Sequence, residues 1–285
     1  MIAVQLEGRL GNQLFQYAFI YAAAKRLNTT FYIDKGVEDF VLPKYFKIER
    51  DFPTLFDRKL FSIEGYKNIF RVHSRKAFYK LLNAVMFRGQ KMVIDNEIAP
   101  VEALKLVKNN CLYQGFFHSQ NYFHDFRNEV RKQFEIKSTF TCAFNEIKKQ
   151  LPGNKKKVVI HIRRTDYVAI NISLPVSYYK NAIAKIADPD VEYIFISDDL
   201  SFVESEFAFI PNKYLSTQNE IIDLQFLMDA DICILSCSSF SWWGAWLNQN
   251  PNKQVYAPRY WLGFKEQKEF PAAAMDHLHV NWIET

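Results

Sequence analysis

From Val158 onward the chain alternates short apolar runs with amphipathic segments, and this alternation restricts its fold more than any other feature. Val158–Ile162, Val191–Ile196, Lys213–Leu215, Ile232–Leu235 and Gln254–Tyr256 read as strands, the last of them ending the series. Ser177–Ala187, Leu200–Phe207, Glu220–Met228 and Ser241–Asn248 read as the helices between them. A helix between two strands returns the chain to the starting edge, so the strands run parallel and the sheet is doubly wound. The first half opens in the same way, with a strand over Ile2–Leu6, a helix over Asn12–Leu27 and a strand over Phe31–Asp34. The expected architecture is therefore α/β, with two Rossmann-like halves and a cleft between them. The Pro, Gly and Lys content of Leu151–Lys157 suggests a linker, which gives domains 1–150 and 151–285. The last 20 or so residues are expected to pack back on the first half. Residues 40–110 show little periodicity apart from an amphipathic stretch, Arg75–Arg88, with Phe78, Leu81, Leu82 and Val85 on one side.

Composition narrows the partners. With 49% hydrophobic and 24% charged residues among 285, the chain is neither disordered nor a disulfide-stapled miniprotein. Its 26 Phe, 15 Tyr and 5 Trp suffice for a large core and for lining a ligand cleft. The first 150 residues carry 24 Lys and Arg against 15 Asp and Glu, whereas the remainder carry 12 against 16. A basic half points to an anionic partner, a phosphate-bearing substrate or an acidic membrane surface. Nucleic acid is not expected, because the basic residues are scattered rather than interleaved with aromatics. Arg58–Lys91 holds nine Lys and Arg against Glu64, which suggests peripheral contact with an anionic membrane; an ordinary surface helix packed on the core is the alternative. The opening residues lack a basic and apolar leader, so Cys111, Cys142, Cys233 and Cys237 are expected as thiols in a cytoplasmic protein. The uncharged run Ile232–Asn252 contains four Ser and three Asn and is not expected to span a bilayer.

Ligands of open parallel sheets bind beyond the carboxyl ends of the strands. Five polar clusters occupy such places: Glu7–Gln13, His161–Asp166, Ser197–Asp199, Ser216–Asn219 and Ser236–Ser241. Asp188 and Asp190, like Asp229 and Asp231, precede strands and belong at the opposite edge, so neither pair suits a metal–diphosphate role. Arg163 and Arg164 offer planar forks that match phosphate oxygens. Strand alternation sends His161 and Arg163 one way and Arg164 the other, so one Arg faces a ligand while Asp166 holds the other; a purely structural Arg–Asp network is the alternative. Ser236–Ser241 runs into a helix start, which is either an anion site or an ordinary serine cap. Asp198 is either an acceptor for the two N–H groups of guanine or a helix cap. At Gly8–Gln13 the small residues, Gly11 among them, allow close backbone approach to a ligand, and Asn12 can bond a sugar or phosphate. His73, His118, His124, His277 and His279 have no metal-ligand spacing.

Gly8–Ala18, His161–Tyr167, Ile196–Asp199 and Cys237–Trp246 together resemble the bacterial α-1,2-fucosyltransferases of glycosyltransferase family 11, in family order and across almost the whole chain. The resemblance implies a GT-B fold and an inverting transfer of L-fucose from GDP-β-L-fucose to the 2-hydroxyl of a galactose-terminated glycan, with no metal or other cofactor. It likens Arg163 to the arginine that grips the β-phosphate and Asp198 to the guanine acceptor. Ser238, Ser239 and Phe240 correspond to a phosphate-contacting turn, Asn12 to an asparagine near the fucose and leaving phosphate, and the His161 backbone to part of the guanine site. Gly11 and Arg164 fall within the same substrate-binding motifs. Relatives of the α-1,6 type carry an acidic residue where this chain has Asn171, so no general base is assigned. Asp166 is a candidate for it, or else orients Arg164. A transferase of another linkage and a non-catalytic glycan- or nucleotide-binding protein are the alternatives.

Overall fold

Strand β1 (Ile2–Gln5) and helix α1 (Leu10–Arg26) are apolar almost throughout, and in the computed structural model both are buried. The structure describes residues 1–49, 69–186, 188–270 and 278–285. Arg58, Lys59 and Lys67 of the basic stretch lie outside them. The chain forms two units, Met1–Glu135 and Ile136–Thr285.

The first unit is built on a parallel sheet of order β2-β1-β4-β3, with β2 at Phe31–Asp34, β3 at Lys91–Val93 and β4 at Cys111–Gln114. Neither β3 nor β4 follows from periodicity, since runs this short carry no pattern; β4 exists because Ile2 and Val4 stand in register with Cys111 and Tyr113. Helix α2 (Ile69–Phe87) lays Tyr79 and Phe87 on Ala3, Tyr32 and Leu112 of the sheet. Phe78 and Leu82 pack beside them, as their spacing predicts. Leu81 and Val85 do not: they are 66% and 68% exposed.

The second unit holds a six-stranded parallel sheet of order β10-β9-β8-β5-β6-β7. Its strands are β5 (Lys156–Ile162), β6 (Val191–Ser197), β7 (Lys213–Leu215), β8 (Ile232–Ile234), β9 (Gln254–Pro258) and β10 (Val280–Ile283). Val158, Ile160, Ile162, Phe195 and Ile234 project into a core shared with Tyr178, Tyr179, Val203 and Phe207. Two boundaries differ from expectation. Helix α3 (Ser138–Lys148) belongs to this unit, because Phe144 packs edge-on against Phe226, so the division precedes Leu151–Lys157 and the last lysines of that stretch begin β5. Gln254–Tyr256 is not the last strand: β10 pairs with β9 from Val280↔Val255 to Ile283↔Pro258, which places these terminal residues in the second sheet.

Candidate active site

Because β8, β5, β6 and β7 are neighbours and parallel, the four clusters that follow them gather at one edge of the second sheet. The acidic pairs lie at the other edge, where they tie strand starts together. Asp231 accepts a hydrogen bond from the Lys157 backbone at 2.9 Å. Asp229 meets Lys148 at 2.6 Å, Asp188 meets Lys156 at 2.9 Å and Asp190 meets Lys155 at 3.1 Å.

Both arginines leave the end of β5, and the short helix α4 (Thr165–Ala169) starts immediately after them. Arg163 is held between two carboxylates: Nη2 donates to Asp166 Oδ2 at 2.7 Å and Nη1 lies 2.9 Å from Asp198 Oδ2. Arg164 is held elsewhere, with Nε donating to Asp199 Oδ2 at 3.1 Å and the guanidinium 3.6 Å from the Phe202 ring centroid. Asp166 therefore orients Arg163 and not Arg164: one helical turn separates 163 from 166, whereas Arg164 is drawn to β6. Asp198 accepts from the Arg164 backbone N–H at 2.8 Å and from Thr165 Oγ1 at 2.5 Å, besides facing Arg163. Asp199 caps the next helix, α5 (Leu200–Glu206), by accepting from Phe202 N. That hydrogen bond, with those from Ser201 and Arg164, lowers its pKa.

His161 is buried, and its Nδ1 shares a hydrogen bond with Ser236 Oγ at 2.7 Å. Burial, reinforced by the Arg163 charge, lowers its pKa to about 3, so the ring stays neutral beside the arginine. Its ring centroid lies 5.3 Å from that of Phe240. Ser238 is the N-cap of α6 (Ser239–Leu247) and accepts from Phe240 N at 3.3 Å, while Ser241 donates back to Ser238 O at 3.0 Å. These hydrogen bonds hold the turn together, and the start of α6 carries the partial positive charge of the helix dipole. Sequence reasoning assigned no role to Tyr167, whose OH donates to Cys237 O at 3.1 Å and ties α4 to this turn. Its position four residues after Arg163 was the available signal. Phe202 and Thr165 carried none, since their partners come from another strand.

In the first unit Gly11 is buried in the first turn of α1, and Asn12 Oδ1 lies 3.1 Å from His118 Nε2. The motif's two glutamines are structural. Gln13 donates to Asp39 O at 2.8 Å, and Gln16 donates to Glu7 O at 3.2 Å and to Gly115 O at 3.1 Å. They pair backbone groups that buried loops would otherwise leave unsatisfied. Among the described residues no three His, Cys, Asp or Glu gather to hold a metal, and no helix is long and apolar enough to cross a membrane.

Solved structures share this fold. The fucosyltransferase NodZ from Bradyrhizobium matches 85% of this chain and 92% of its own at a TM-score of 0.55 and 13% identity. POFUT1 in complex with GDP matches 90% and 97% at a TM-score of 0.53 and 12% identity. The fold is that of the GT-B-like glycosyltransferases. The chain itself belongs to glycosyl transferase family 11, whose model matches residues 1–284. Two Escherichia coli relatives cover nearly all of it. The O-antigen biosynthesis glycosyltransferase WbnK is 28% identical over 90% of this chain and 93% of its own. An alpha-1,2-colitosyltransferase is 25% identical over 95% of each.

Proposed function

We propose that this glycosyltransferase moves L-fucose from GDP-β-L-fucose to the 2-hydroxyl of a galactoside, with inversion and without a metal. The observation that carries the reading is the placement of Arg163 and the Ser238-capped helix start at the same sheet edge, within motifs that resemble those of family 11, whose model matches the chain. As the bond between the anomeric carbon and the leaving oxygen breaks, negative charge grows on the β-phosphate. A preorganised guanidinium and helix-start N–H groups stabilise that charge more in the transition state than in the ground state. Asn12 is assigned to the fucose and leaving phosphate, Gly11 and Arg164 to substrate contact, and the His161 backbone, Ser239 and Phe240 to the nucleotide. Asp166 acts by holding Arg163 rather than as the base, since its carboxylate is already paired with the guanidinium.

The test is GDP release from GDP-fucose in the presence of an array of galactosides, with the product linkage read by NMR. Release stimulated by a galactoside with a 1→2 linkage supports the reading. A thermal shift with GDP but no acceptor-stimulated release indicates a binding protein instead. The colitosyltransferase relative favours running GDP-linked colitose as a second donor, and preference for it would correct the donor assignment.

Peripheral membrane contact belongs to the same reading. Exposed Leu81 and Val85 of α2 stand near exposed Lys76 and Lys80 of the same helix and Arg88 just after it, an apolar pair framed by cations. Co-sedimentation with anionic vesicles at low salt, lost in Lys76→Glu/Lys80→Glu, supports it; no sedimentation overturns it.

A further inference from the structure

We propose that Arg259 is a further arginine for the diphosphate of the donor, standing across the Ser238 turn from Arg163; this rests on the reading of the donor as a GDP-sugar. The turn leaves β8, Arg163 leaves β5 on one side of it, and Arg259 leaves β9 on the other. All three lie at the carboxyl edge of the second sheet, where ligands of open parallel sheets bind. The ladder continues past β9, since Ile283 pairs with Pro258 and Arg259 N donates to Ile283 O at 2.9 Å. Alternation therefore puts Arg259 on the face of Val255 and Ala257, opposite Tyr256, which belongs to the core of Ile234 and Tyr178. The face of Val255 is also that of its register partner Cys233, whose Sγ lies 3.5 Å from Leu227 O of α7. Gly244 of α6 packs on the same Leu227, so Arg259 is on the side of the sheet that α6 occupies.

The segment is fixed against the turn. Cys237, one residue before the Ser238 cap, donates its Sγ–H to Trp261 O at 3.2 Å, and both residues are buried. Tyr260 and Trp261 have φ of +64° and +50°, left-handed values that bulky residues seldom take and that persist where the surroundings impose them. Arg259 itself is unsatisfied. It is partly buried, its Nε is shielded from water without a hydrogen-bond partner, and among the described residues no carboxylate pairs with it. Its guanidinium lies 5.3 Å from the Tyr260 ring centroid. A cationic donor withdrawn from water pays its desolvation, and an anion beside it returns that cost as charge-assisted hydrogen bonds. The other arginines of this edge are already neutralised, Arg163 by Asp166 and Asp198 and Arg164 by Asp199. Two guanidiniums against three carboxylates leave no surplus of positive charge for a diphosphate, and Arg259 supplies it.

The test titrates Arg259→Gln and Arg259→Lys with GDP and with guanosine, which has the base and ribose but no phosphate. Arg259→Gln removes the charge, whereas Arg259→Lys keeps a charge without the planar fork. Expected for Arg259→Gln is a loss of GDP affinity of about 10- to 100-fold at unchanged guanosine affinity. Arg259→Lys should recover part of it, and melting curves normalise each variant to folded protein. The proposal is overturned by wild-type GDP affinity in folded Arg259→Gln, or by equal losses for GDP and guanosine, which mark a turn displaced as a whole. Should Arg259→Gln not fold, Arg259→Lys decides: a loss confined to GDP supports the proposal, and no loss overturns it. Wild-type protein that binds no GDP removes the donor reading and this proposal together. GDP binding without fucose transfer removes the fucose assignment alone, since the titrations need no turnover.

Discussion

Arg163 and Asp198 meet at 2.9 Å across the ends of two adjacent strands, β5 and β6. The contact joins the group assigned to the β-phosphate to the group assigned to guanine. Asp198 already accepts from the Arg164 backbone and from Thr165, so three of a carboxylate's roughly four lone-pair directions are engaged. Accepting two guanine N–H groups as well requires Thr165 or Arg163 to release one oxygen.

Arg163→Lys keeps the charge and loses the planar fork that reaches Asp166 and Asp198 together. A fall in kcat on the order of 10²–10³-fold is expected, as for loss of one preorganised donor. GDP affinity should fall less, because the Ser238 turn and Asp198 remain. Measuring kcat, GDP affinity and melting temperature on one preparation separates this from a structural role, in which activity follows the folded fraction.

Asp198→Asn tests guanine reading directly. If Asp198 accepts N1–H and N2–H, the wild type prefers GDP over IDP, which lacks the N2 amine, by about 1–3 kcal/mol, and the variant loses that preference. If Asp198 serves only to hold Arg163, kcat falls and the GDP to IDP ratio of affinities stays as in the wild type. Calorimetric titration with both nucleotides decides.

Turnover should survive EDTA. Asp229 and Asp231 are engaged with lysines and a backbone N–H at the far edge of the sheet, away from the arginines. Loss of activity with EDTA and its return with manganese would contradict the mechanism proposed above.

Asp223, in the helix α7 (Glu220–Met228), accepts from Ser216 Oγ at 2.5 Å, and burial raises its pKa to about 7 against the opposing effect of that hydrogen bond. A carboxyl with a raised folded pKa binds its proton more tightly folded than unfolded. Its contribution to stability is therefore complete below the ordinary carboxylate range and is lost as pH rises through about 7. The melting temperature of the wild type relative to Asp223→Asn should accordingly decline between about pH 4 and pH 7 and level off above that. A difference independent of pH would show that Asp223 is ionised throughout.

Gly244 of α6 lies against Leu227 of α7, and an added Cβ would stand 2.4 Å from Leu227 Cβ. Both residues are buried, so Gly244→Ala should destabilise the second unit by about 1–3 kcal/mol through overpacking, despite alanine's better helix propensity. Denaturant unfolding measures it, and an unchanged or raised midpoint would show that the two helices separate freely.

The sequence by itself determined the parallel character of the second sheet and the edge at which its polar clusters gather. Apolar runs separated by helices of this length admit one connection sense, and the position of a cluster after a strand then decides its edge. The membership of Arg163, Asp198 and Ser238 in that edge was legible for the same reason. Only the tertiary structure decided that β3, β4 and β10 exist, because strands of three or four residues are made by the partner whose N–H and C=O groups they complete, as Cys111 does beside Ile2. It also decided how the arginines are shared: alternation along β5 sets directions within a strand, but Arg163 and Arg164 lie beyond its end, where Asp198 and Asp199, each 35 residues away just past the end of β6, take hold of them. The pairing of His118 with Asn12 is likewise a meeting of a loop with the first turn of α1 more than 100 residues away, and no local pattern encodes a hydrogen bond between them.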